Sequence, residues 1–462
     1  MTAGPSGSRA DDPVHDAHGQ PPAEPYSVVI PTIGRPCLDD CLRALAAAAG
    51  PPPYEVLLVD DRPSPDGLPD TRGAGLLTDR VRVLATRGRG PAAARNAGLR
   101  EVTTPWVVFL DDDVRVLPDW GTRLAHDLAT AGAGTAGVQG RLTVPLPDDR
   151  RPTDWERCTA GLERAAWATA DMAFRTEAVR DAGGFDERFP RAFREDADLA
   201  LRLMDAGWTL TGGTRSTLHP VRPADRWVSL RTQRGNADDA LMSRVHGPDW
   251  WSRAAAPRGR LPRHLAVTAA GAAAAGLALA GRRRAAAAAA ALWALGTAEF
   301  AWARIAPGPR TADEVTTMVA TSALIPPLAV RHWAAGRLRH RRATPGEAAD
   351  DRRPAQTDAE GRPETAPARR RPLRPRRHPG PRRALQRRPR TGPPGPGRGR
   401  SRPARTRGGD GDRSGQQPVR HRTRPAHPRR GTPGQPPCRR TDRALRRLGL
   451  LPPPPGHRMP LP

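Results

Sequence analysis

Residues 106–113 read Trp-Val-Val-Phe-Leu-Asp-Asp-Asp, an apolar run that ends in three consecutive carboxylates. The run predicts a buried strand, and Asp111, Asp112 and Asp113 follow directly after it. Unpaired carboxylates are too costly to bury in an apolar core. These three residues, called the acidic cluster below, are therefore either a solvated turn or a site where a divalent cation neutralises them. Hard oxygen ligands suit Mg²⁺ or Mn²⁺.

Short apolar segments and helix-like segments alternate around this run. Strands are predicted at 26–30, 55–59, Val81–Ala85 and Trp106–Leu110, and helices after Pro36 and through 92–100. Alternation at this spacing predicts an α/β domain with βαβ units around a mostly parallel sheet, over residues 26–253. The carboxyl ends of parallel strands share one edge of a sheet. Thr32, Asp60 and the acidic cluster are therefore expected close together, where α/β proteins commonly bind phosphorylated ligands.

The composition favours an intracellular protein over a secreted one. The chain has 462 residues, a formal net charge of +27, 54 Pro and 46 Gly, and its basic residues are all arginine. This bias is typical of GC-rich coding DNA, so the charge alone is weak evidence for nucleic-acid binding. Its four cysteines form no CxxC pair, which favours a reducing compartment. Residues 1–25 are polar, lack the apolar stretch of a secretory signal, and are predicted to be a disordered leader.

Residues 264–335 form a second region, of Ala-rich apolar helices. Candidate transmembrane segments are 285–303 and 315–330, with 265–280 as a third. Alanine is nearly neutral for membrane insertion, so these segments are marginal. If the first two segments cross the membrane, the arginines at 282–284 and 331–342 lie on the same side of it. Arginine-rich flanks are typical of the cytoplasmic side, so residues 26–253 are expected in the cytoplasm. Glu299 lies inside a span and counts against it, and a soluble helical hairpin is the alternative.

Six motifs together resemble family 2 glycosyltransferases of the GT-A fold. They are SVVIPTIGRP, EVLLVDD, GPAAARNAGL, FLDDDVRVLPDW, GGFDERF and REDADLALRLMDAGW, in the family's order over about residues 26–220. The resemblance implies a nucleotide-diphosphate-sugar donor and Mn²⁺ or Mg²⁺. It also implies inverting transfer to a hydroxyl of a cell-envelope glycan, a lipid or a secondary metabolite.

The resemblance also assigns the donor and metal sites. Asp113 corresponds to the direct metal ligand, with Asp111 and Asp112 on the ribose or on metal-bound water. His219 lies where some relatives place a further metal ligand, although a lone histidine is more often structural. The donor-binding positions implied are Thr32 and Arg35 beside the nucleotide, Asp60 on the base, and Arg95, next to Asn96, on the diphosphate. Asp60 or its neighbour Asp61 could instead cap a turn.

On the acceptor side, the resemblance implies that Asp196 of the Glu195-Asp196 pair is the general base. A carboxylate within hydrogen-bond reach can take the acceptor hydroxyl's proton. Asp198 and Arg202 are four residues apart, so they could form an ordinary helical ion pair that holds this loop. Trp208 and the segment 183–185 are expected to shape the acceptor side. Asp171 departs from the family, since many relatives have Asn there.

The arginine-rich and proline-rich tail, residues 344–462, lacks Phe, Trp, Tyr and Ile and is predicted to be disordered. Synonymous codons can be chosen for three segments of the tail so that a shift of one nucleotide gives three different motifs, all in the same reading frame and in sequence order. These motifs resemble a HAD-type sugar-bisphosphate phosphatase, with its nucleophile loop and its Cys/His zinc loop. The tail therefore suggests a frameshift between about residues 351 and 371, and no activity is assigned to it.

Two other functions stay open at this stage. A GT-A-like nucleotidyltransferase normally has a Gly-rich signature with a basic residue in its first loop, which residues 33–36 match poorly. A nucleic-acid-binding protein acting through the basic tail is the other, although no specific nucleic-acid binding is expected. The predicted partners are a nucleotide-sugar donor and a glycan or lipid-linked acceptor. The predicted location is the cytoplasmic face of the cell membrane, with a soluble cytoplasmic enzyme as the alternative.

Overall fold

The structure is a computed structural model, and it describes residues 24–65 and 67–345. Within these residues eight strands form one mixed sheet in the order β3-β2-β1-β4-β7-β6-β8-β5. The strands are β1 Tyr26–Thr32, β2 Val56–Asp60, β3 Val81–Ala85, β4 Trp106–Leu110, β5 Arg115–Val116, β6 Thr135–Thr143, β7 Asp171–Arg175 and β8 Thr209–Leu218. The predicted α/β class is confirmed, and the strands at 81–85 and 106–110 have the predicted bounds.

The four N-terminal strands form the parallel half of the sheet. β1 lies between β2 and β4 and runs parallel to both, with Thr32 opposite Asp60 at the carboxyl end. The ends of β1, β2 and β4 therefore meet at one edge, as the strand pattern predicts. The other half is mixed. β6 runs parallel to β8, whereas β7 runs antiparallel to β4 and to β6, and β5 runs antiparallel to β8.

Helices cover both faces of this sheet, so alternate residues of the same strand enter different cores. Val28 and Ile30 pack with the buried face of the first helix, whereas Val29 packs with Phe109 and Phe185 on the other side. The α-helices of this part are α1 Cys37–Ala47, α2 Pro91–Glu101, α3 Trp120–Ala129, α4 Asp154–Ala160, α5 Thr176–Asp181, α6 Glu195–Asp205, α7 Val228–Arg231, α8 Asn236–Val245 and α9 Trp250–Arg253. Short 3₁₀ helices lie at Arg72–Arg80, Gly161–Arg164 and Thr232–Gly235.

Three longer helices follow: α10 Leu261–Leu279, α11 Arg283–Ile305 and α12 Ala312–Arg339. Among the described helices, α11 is the one that is long and apolar enough to cross a membrane, judged by length and composition. Its last turn is tied to the α/β part, because the buried Arg304 donates to Asp154 Oδ2 at 2.8 Å and to Thr321 Oγ1 at 2.8 Å. The leader and the tail, for which disorder and a frameshift are predicted, fall almost wholly outside the described residues.

Candidate active site

A cavity of about 190 Å³ opens at the carboxyl edge of the sheet. Its walls come from segments that are far apart in the sequence, because each contributing strand ends at this edge. They include Thr32 and Arg35 after β1, Asp61 after β2, Arg95 in α2, the acidic cluster after β4, and His219 and Arg222 after β8. Most of the residues predicted to bind the donor or the metal are therefore brought together here.

Asp111, Asp113 and His219 form a group that can hold a metal ion. Each offers one ligand atom, and these atoms lie within 4.8 Å of one another. Burial raises the pKa of Asp113, and its neighbours Asp111 and Asp112 act in the same direction, although His219 and Arg222 oppose it. A bound cation would relieve this accumulation of negative charge. His219 reaches the cluster because β8 pairs with β5, which places Leu218 opposite Arg115.

The donor set fits Mn²⁺ or Mg²⁺. Carboxylate oxygens suit both ions, and an imidazole nitrogen is better suited to Mn²⁺. The His219 Nδ1 atom is buried and has no hydrogen-bond partner among the described residues, and Nε2 is 3.7 Å from Asp113 Oδ1, too far for a hydrogen bond. A cation between the imidazole and the two carboxylates would give a partner to Nε2, the ring nitrogen that faces Asp113.

Asp112 also lines the cavity but is not in the group of possible metal ligands. Its carboxylate accepts hydrogen bonds from Thr32 Oγ1 and Arg35 Nη1, each at 2.6 Å, and its side chain is 1% exposed. These bonds tie the loop after β1 to the end of β4. Thr32 and Arg35 do line the cavity, as predicted, but in this structure both are engaged by Asp112.

Asp60 and Asp61 have different surroundings. Asp60, predicted to bind the base, is buried and paired with Arg62, whose Nη2 lies 2.7 Å from Oδ2. Asp61 lines the cavity and accepts hydrogen bonds from Thr86 Oγ1 at 2.6 Å and from the backbone N–H groups of Arg89 and Gly90, both at 2.8 Å. Asp61 thus holds the Gly-rich turn that precedes α2.

Arg95 links the acidic cluster to the start of α6. The guanidinium donates to Glu195 Oε1 at 2.7 Å and to Asp111 Oδ1 at 2.9 Å, and its side chain is 2% exposed. The resemblance predicts a diphosphate contact for Arg95. In this structure both terminal nitrogens are used by carboxylates instead, so Arg95 connects the two acidic motifs of the site.

The two carboxylates at the start of α6 differ in accessibility. Glu195 is 2% exposed, its Oε2 has no hydrogen-bond partner among the described residues, and burial raises its pKa to about 8. Asp196 is half-buried, and its Oδ1 accepts a hydrogen bond from the Ala197 N–H at 2.7 Å. Burial raises the pKa of Asp196 as well. Asp196 is therefore the more accessible carboxylate of this pair.

Asp198 and Arg202 form the helical ion pair that their spacing allows, with Arg202 Nη2 2.7 Å from Asp198 Oδ2. His246 Nε2 lies 2.7 Å from the other oxygen, a partner that no local sequence signal indicates. Burial acts to raise the pKa of Asp198, but the hydrogen bonds from His246 and Arg202 outweigh it and lower that pKa. Arg202 also donates to the Gly184 carbonyl at 2.7 Å, which joins α6 to the glycine turn.

That turn is held from its other side by Asn96. The Asn96 side chain donates to the Phe185 carbonyl and accepts from the Phe185 N–H, both at 2.8 Å. Gly184 has φ +71°, and a Cβ there would lie 2.6 Å from Asn96 Oδ1, so the position requires glycine. Phe185 and Trp208, which are predicted to shape the acceptor side, do not line the cavity. They pack in the core on the side of the sheet that contains Val29 and Phe109.

Asp171 is fully buried on β7, away from the cavity. It accepts hydrogen bonds from Trp120 Nε1 at 2.9 Å, Arg215 Nε at 2.8 Å and Thr217 Oγ1 at 2.6 Å. Arg215 is itself buried and also reaches Asp127 Oδ2 at 3.1 Å. The carboxylate that replaces the family's Asn thus has a buried arginine as its counter-ion.

Comparisons with known proteins find similarity over part of the chain. Residues 27–178 match the family model Glycosyl transferase family 2. The chain is 32% identical over 211 residues to the pre-mycofactocin glycosyltransferase of Mycobacterium tuberculosis, a match that covers 41% of this chain and 42% of that protein. It is 38% identical over 158 residues to the succinoglycan biosynthesis protein ExoO of Rhizobium meliloti, which covers 32% and 44%.

The matches thus span less than half the length of these two relatives. Among solved structures, the mannosyltransferase PcManGT from Pyrobaculum calidifontis, in complex with GDP-Man and Mn²⁺, is similar at 19% identity and a TM-score of 0.43. That match covers 67% of this chain and 87% of that chain. The residues that match the family model include β1 to β4, the acidic cluster and β7.

Proposed function

We propose that the protein is a metal-dependent, inverting glycosyltransferase that uses a nucleotide-diphosphate sugar. One observation carries the proposal. Asp111, one of the possible metal ligands, is joined through the buried Arg95 to Glu195, the neighbour of Asp196. A site that must hold a departing diphosphate and deprotonate an acceptor needs these two acidic groups side by side. The family match of residues 27–178 supports the same reading.

On this proposal Asp111, Asp113 and His219 hold Mn²⁺ or Mg²⁺. When bound, the cation acts as a Lewis acid that offsets the negative charge on the departing nucleoside diphosphate. Thr32 and Arg35 line the donor side of the cavity, and the exposed part of Arg35 is free to turn from Asp112 to a phosphate oxygen.

Asp196 is the proposed general base. It takes the proton of the acceptor hydroxyl while that oxygen bonds to the anomeric carbon. The bond from this carbon to the diphosphate oxygen breaks in the same displacement, the nucleoside diphosphate leaves, and the anomeric centre inverts. Glu195 remains buried against Arg95 and positions the loop, so its role is distinct from that of Asp196.

The acceptor is proposed to be a hydroxyl of a cell-envelope glycan, a lipid or a secondary metabolite. The similarity to a protein of succinoglycan biosynthesis supports a glycan. We also propose that the protein associates with the cytoplasmic face of a membrane through α11. That helix is apolar, and arginines 282–284 lie at its start.

A screen of nucleotide-sugar hydrolysis with Mn²⁺ or Mg²⁺, followed by acceptor fractions, tests the proposed function. Asp113→Ala is expected to lose metal-dependent hydrolysis and transfer together, because it removes a ligand of the proposed site. Asp196→Ala is expected to keep metal binding but to lose transfer by about 10²–10⁴-fold, the usual worth of a general base. Asp119→Ala, at an exposed carboxylate paired with Arg123, is the control and should turn over like the wild type. Wild-type transfer by either site variant would refute the assignment.

A further inference from the structure

Arg222 is a cavity residue that neither the motifs nor the family match includes. It follows His219 by three residues, on the irregular segment between β8 and α7. Its Nε lies 2.9 Å from Asp113 Oδ2, while the other oxygen of that carboxylate faces His219 at 3.7 Å. A guanidinium therefore already neutralises the carboxylate expected to hold the cation.

Arg222 and a divalent cation cannot both use Asp113 without cost. Asp113 is 5% exposed, so water screens the repulsion between two adjacent positive charges only weakly. A cation bound to this carboxylate would lie about 2.0–2.2 Å from an oxygen while the guanidinium holds Oδ2, so two positive charges would share one buried carboxylate. Binding of the cation at this site is therefore expected to displace Arg222 from Asp113.

A displaced Arg222 has a suitable new partner in the donor. Guanidinium groups bind phosphate oxygens through paired hydrogen bonds. Three arginines line the cavity: Arg95 is 2% exposed and held by two carboxylates, Arg35 is 34% exposed, and Arg222 is the most exposed at 44%. Arg222 is thus the cavity arginine with the most freedom to turn toward a diphosphate.

The surroundings of Arg222 allow this movement. Its backbone carbonyl is held by Trp155 Nε1 at 2.8 Å, so the side chain can turn about a fixed main chain. Arg222 also lines a second cavity, of about 1000 Å³. The residue therefore borders open space in both cavities.

We propose that Arg222 neutralises Asp113 in the metal-free protein and transfers to the donor's diphosphate when the cation binds. The diphosphate contact rests on the proposed function, whereas the competition with the cation does not. Arg222 is then a positioning residue with two opposite effects. It weakens binding of the cation alone, and it strengthens binding of the nucleotide once the cation is present.

The test measures both effects separately in the full-length chain. Mn²⁺ is titrated into the metal-free wild type, Arg222→Ala and Arg222→Lys by calorimetry, and UDP and GDP are then titrated in excess Mn²⁺. Arg222→Ala is expected to bind Mn²⁺ roughly threefold or more tightly, because a neighbouring positive charge is gone. It is expected to bind the nucleoside diphosphate roughly tenfold or more weakly, because a charge-assisted hydrogen bond is lost. Arg222→Lys keeps the charge. Its affinities for Mn²⁺ and for the nucleoside diphosphate should lie between those of the wild type and of Arg222→Ala.

Arg226→Ala is the matched control, because Arg226 lies on the same segment but pairs with Asp313 at 3.2 Å. It should change neither titration. Weaker or unchanged Mn²⁺ binding by Arg222→Ala, or unchanged nucleotide binding, overturns the inference while the proposed function stands. If the wild type itself binds neither Mn²⁺ nor a nucleoside diphosphate, both the inference and the proposed function fail.

Discussion

Replacing Asp171 by Ala is expected to destabilise the protein without acting on its ligands. The carboxylate is fully buried and accepts hydrogen bonds from Trp120, Arg215 and Thr217 at 2.6–2.9 Å. Removing it leaves those donors without an acceptor and takes one counter-charge from the buried Arg215. Breaking a buried pair from one side typically costs about 3–5 kcal/mol. Arg215 keeps Asp127 Oδ2 at 3.1 Å and the Val138 carbonyl at 2.8 Å, which favours the lower end of that range.

The loss is measured as the change in the free energy of unfolding by urea, followed by tryptophan fluorescence, with the slope m checked for constancy. Asp171→Asn should cost less than Asp171→Ala, because an amide oxygen can still accept hydrogen bonds but the charge is lost. Asp205→Ala is the matched control. It removes an exposed carboxylate paired with Arg253, and such pairs contribute at most about 1 kcal/mol.

Two results would refute this reasoning. One is an Asp171→Ala variant whose free energy of unfolding stays within about 1 kcal/mol of the wild type. Removing a buried carboxylate that accepts three hydrogen bonds is expected to cost more than this. The other is a variant that folds normally but loses donor or acceptor binding, which would place the side chain in contact with a ligand.

Two further predictions concern the pH profile and the membrane. Burial raises the pKa of Asp196, and the proposed base acts only when ionised. As pH falls, kcat/KM should therefore decline through that raised pKa, above the ordinary value near 3.9; a profile flat down to pH 4 would contradict the assignment. Replacing Leu292 and Leu295 by Glu puts charges on exposed positions of α11. This double variant should be released from bacterial membranes or from vesicles with anionic lipid. The control Leu76→Glu, also at an exposed position, should stay bound. Equal membrane binding by both variants would contradict the proposed use of α11.

Much of the fold follows from local sequence patterns. The apolar runs at 26–30, 55–59, 81–85 and 106–110 indicate strands. The buried residues of α1, at helical spacing, are Leu38, Cys41, Leu42 and Leu45. The directions of β5 to β8 could not be read in the same way. A strand's direction depends on which neighbour it pairs with, and β6 pairs with β7 and β8 across more than thirty residues.

The sequence by itself determined that carboxylates stand at the end of β4, because a strand and the residues after it are adjacent in the chain. Only the tertiary structure decided which charges these carboxylates meet. Arg95 lies 100 residues from Glu195, Thr32 lies 80 from Asp112, and Arg222 reaches Asp113 from beyond β8. A buried charge is stable only beside its partner, and partners so distant in sequence are chosen by where the sheet brings the strand ends together. The same acidic run can therefore be recognised from the sequence, but only the folded chain pairs Asp111 with Arg95, Asp112 with Arg35 and Asp113 with Arg222.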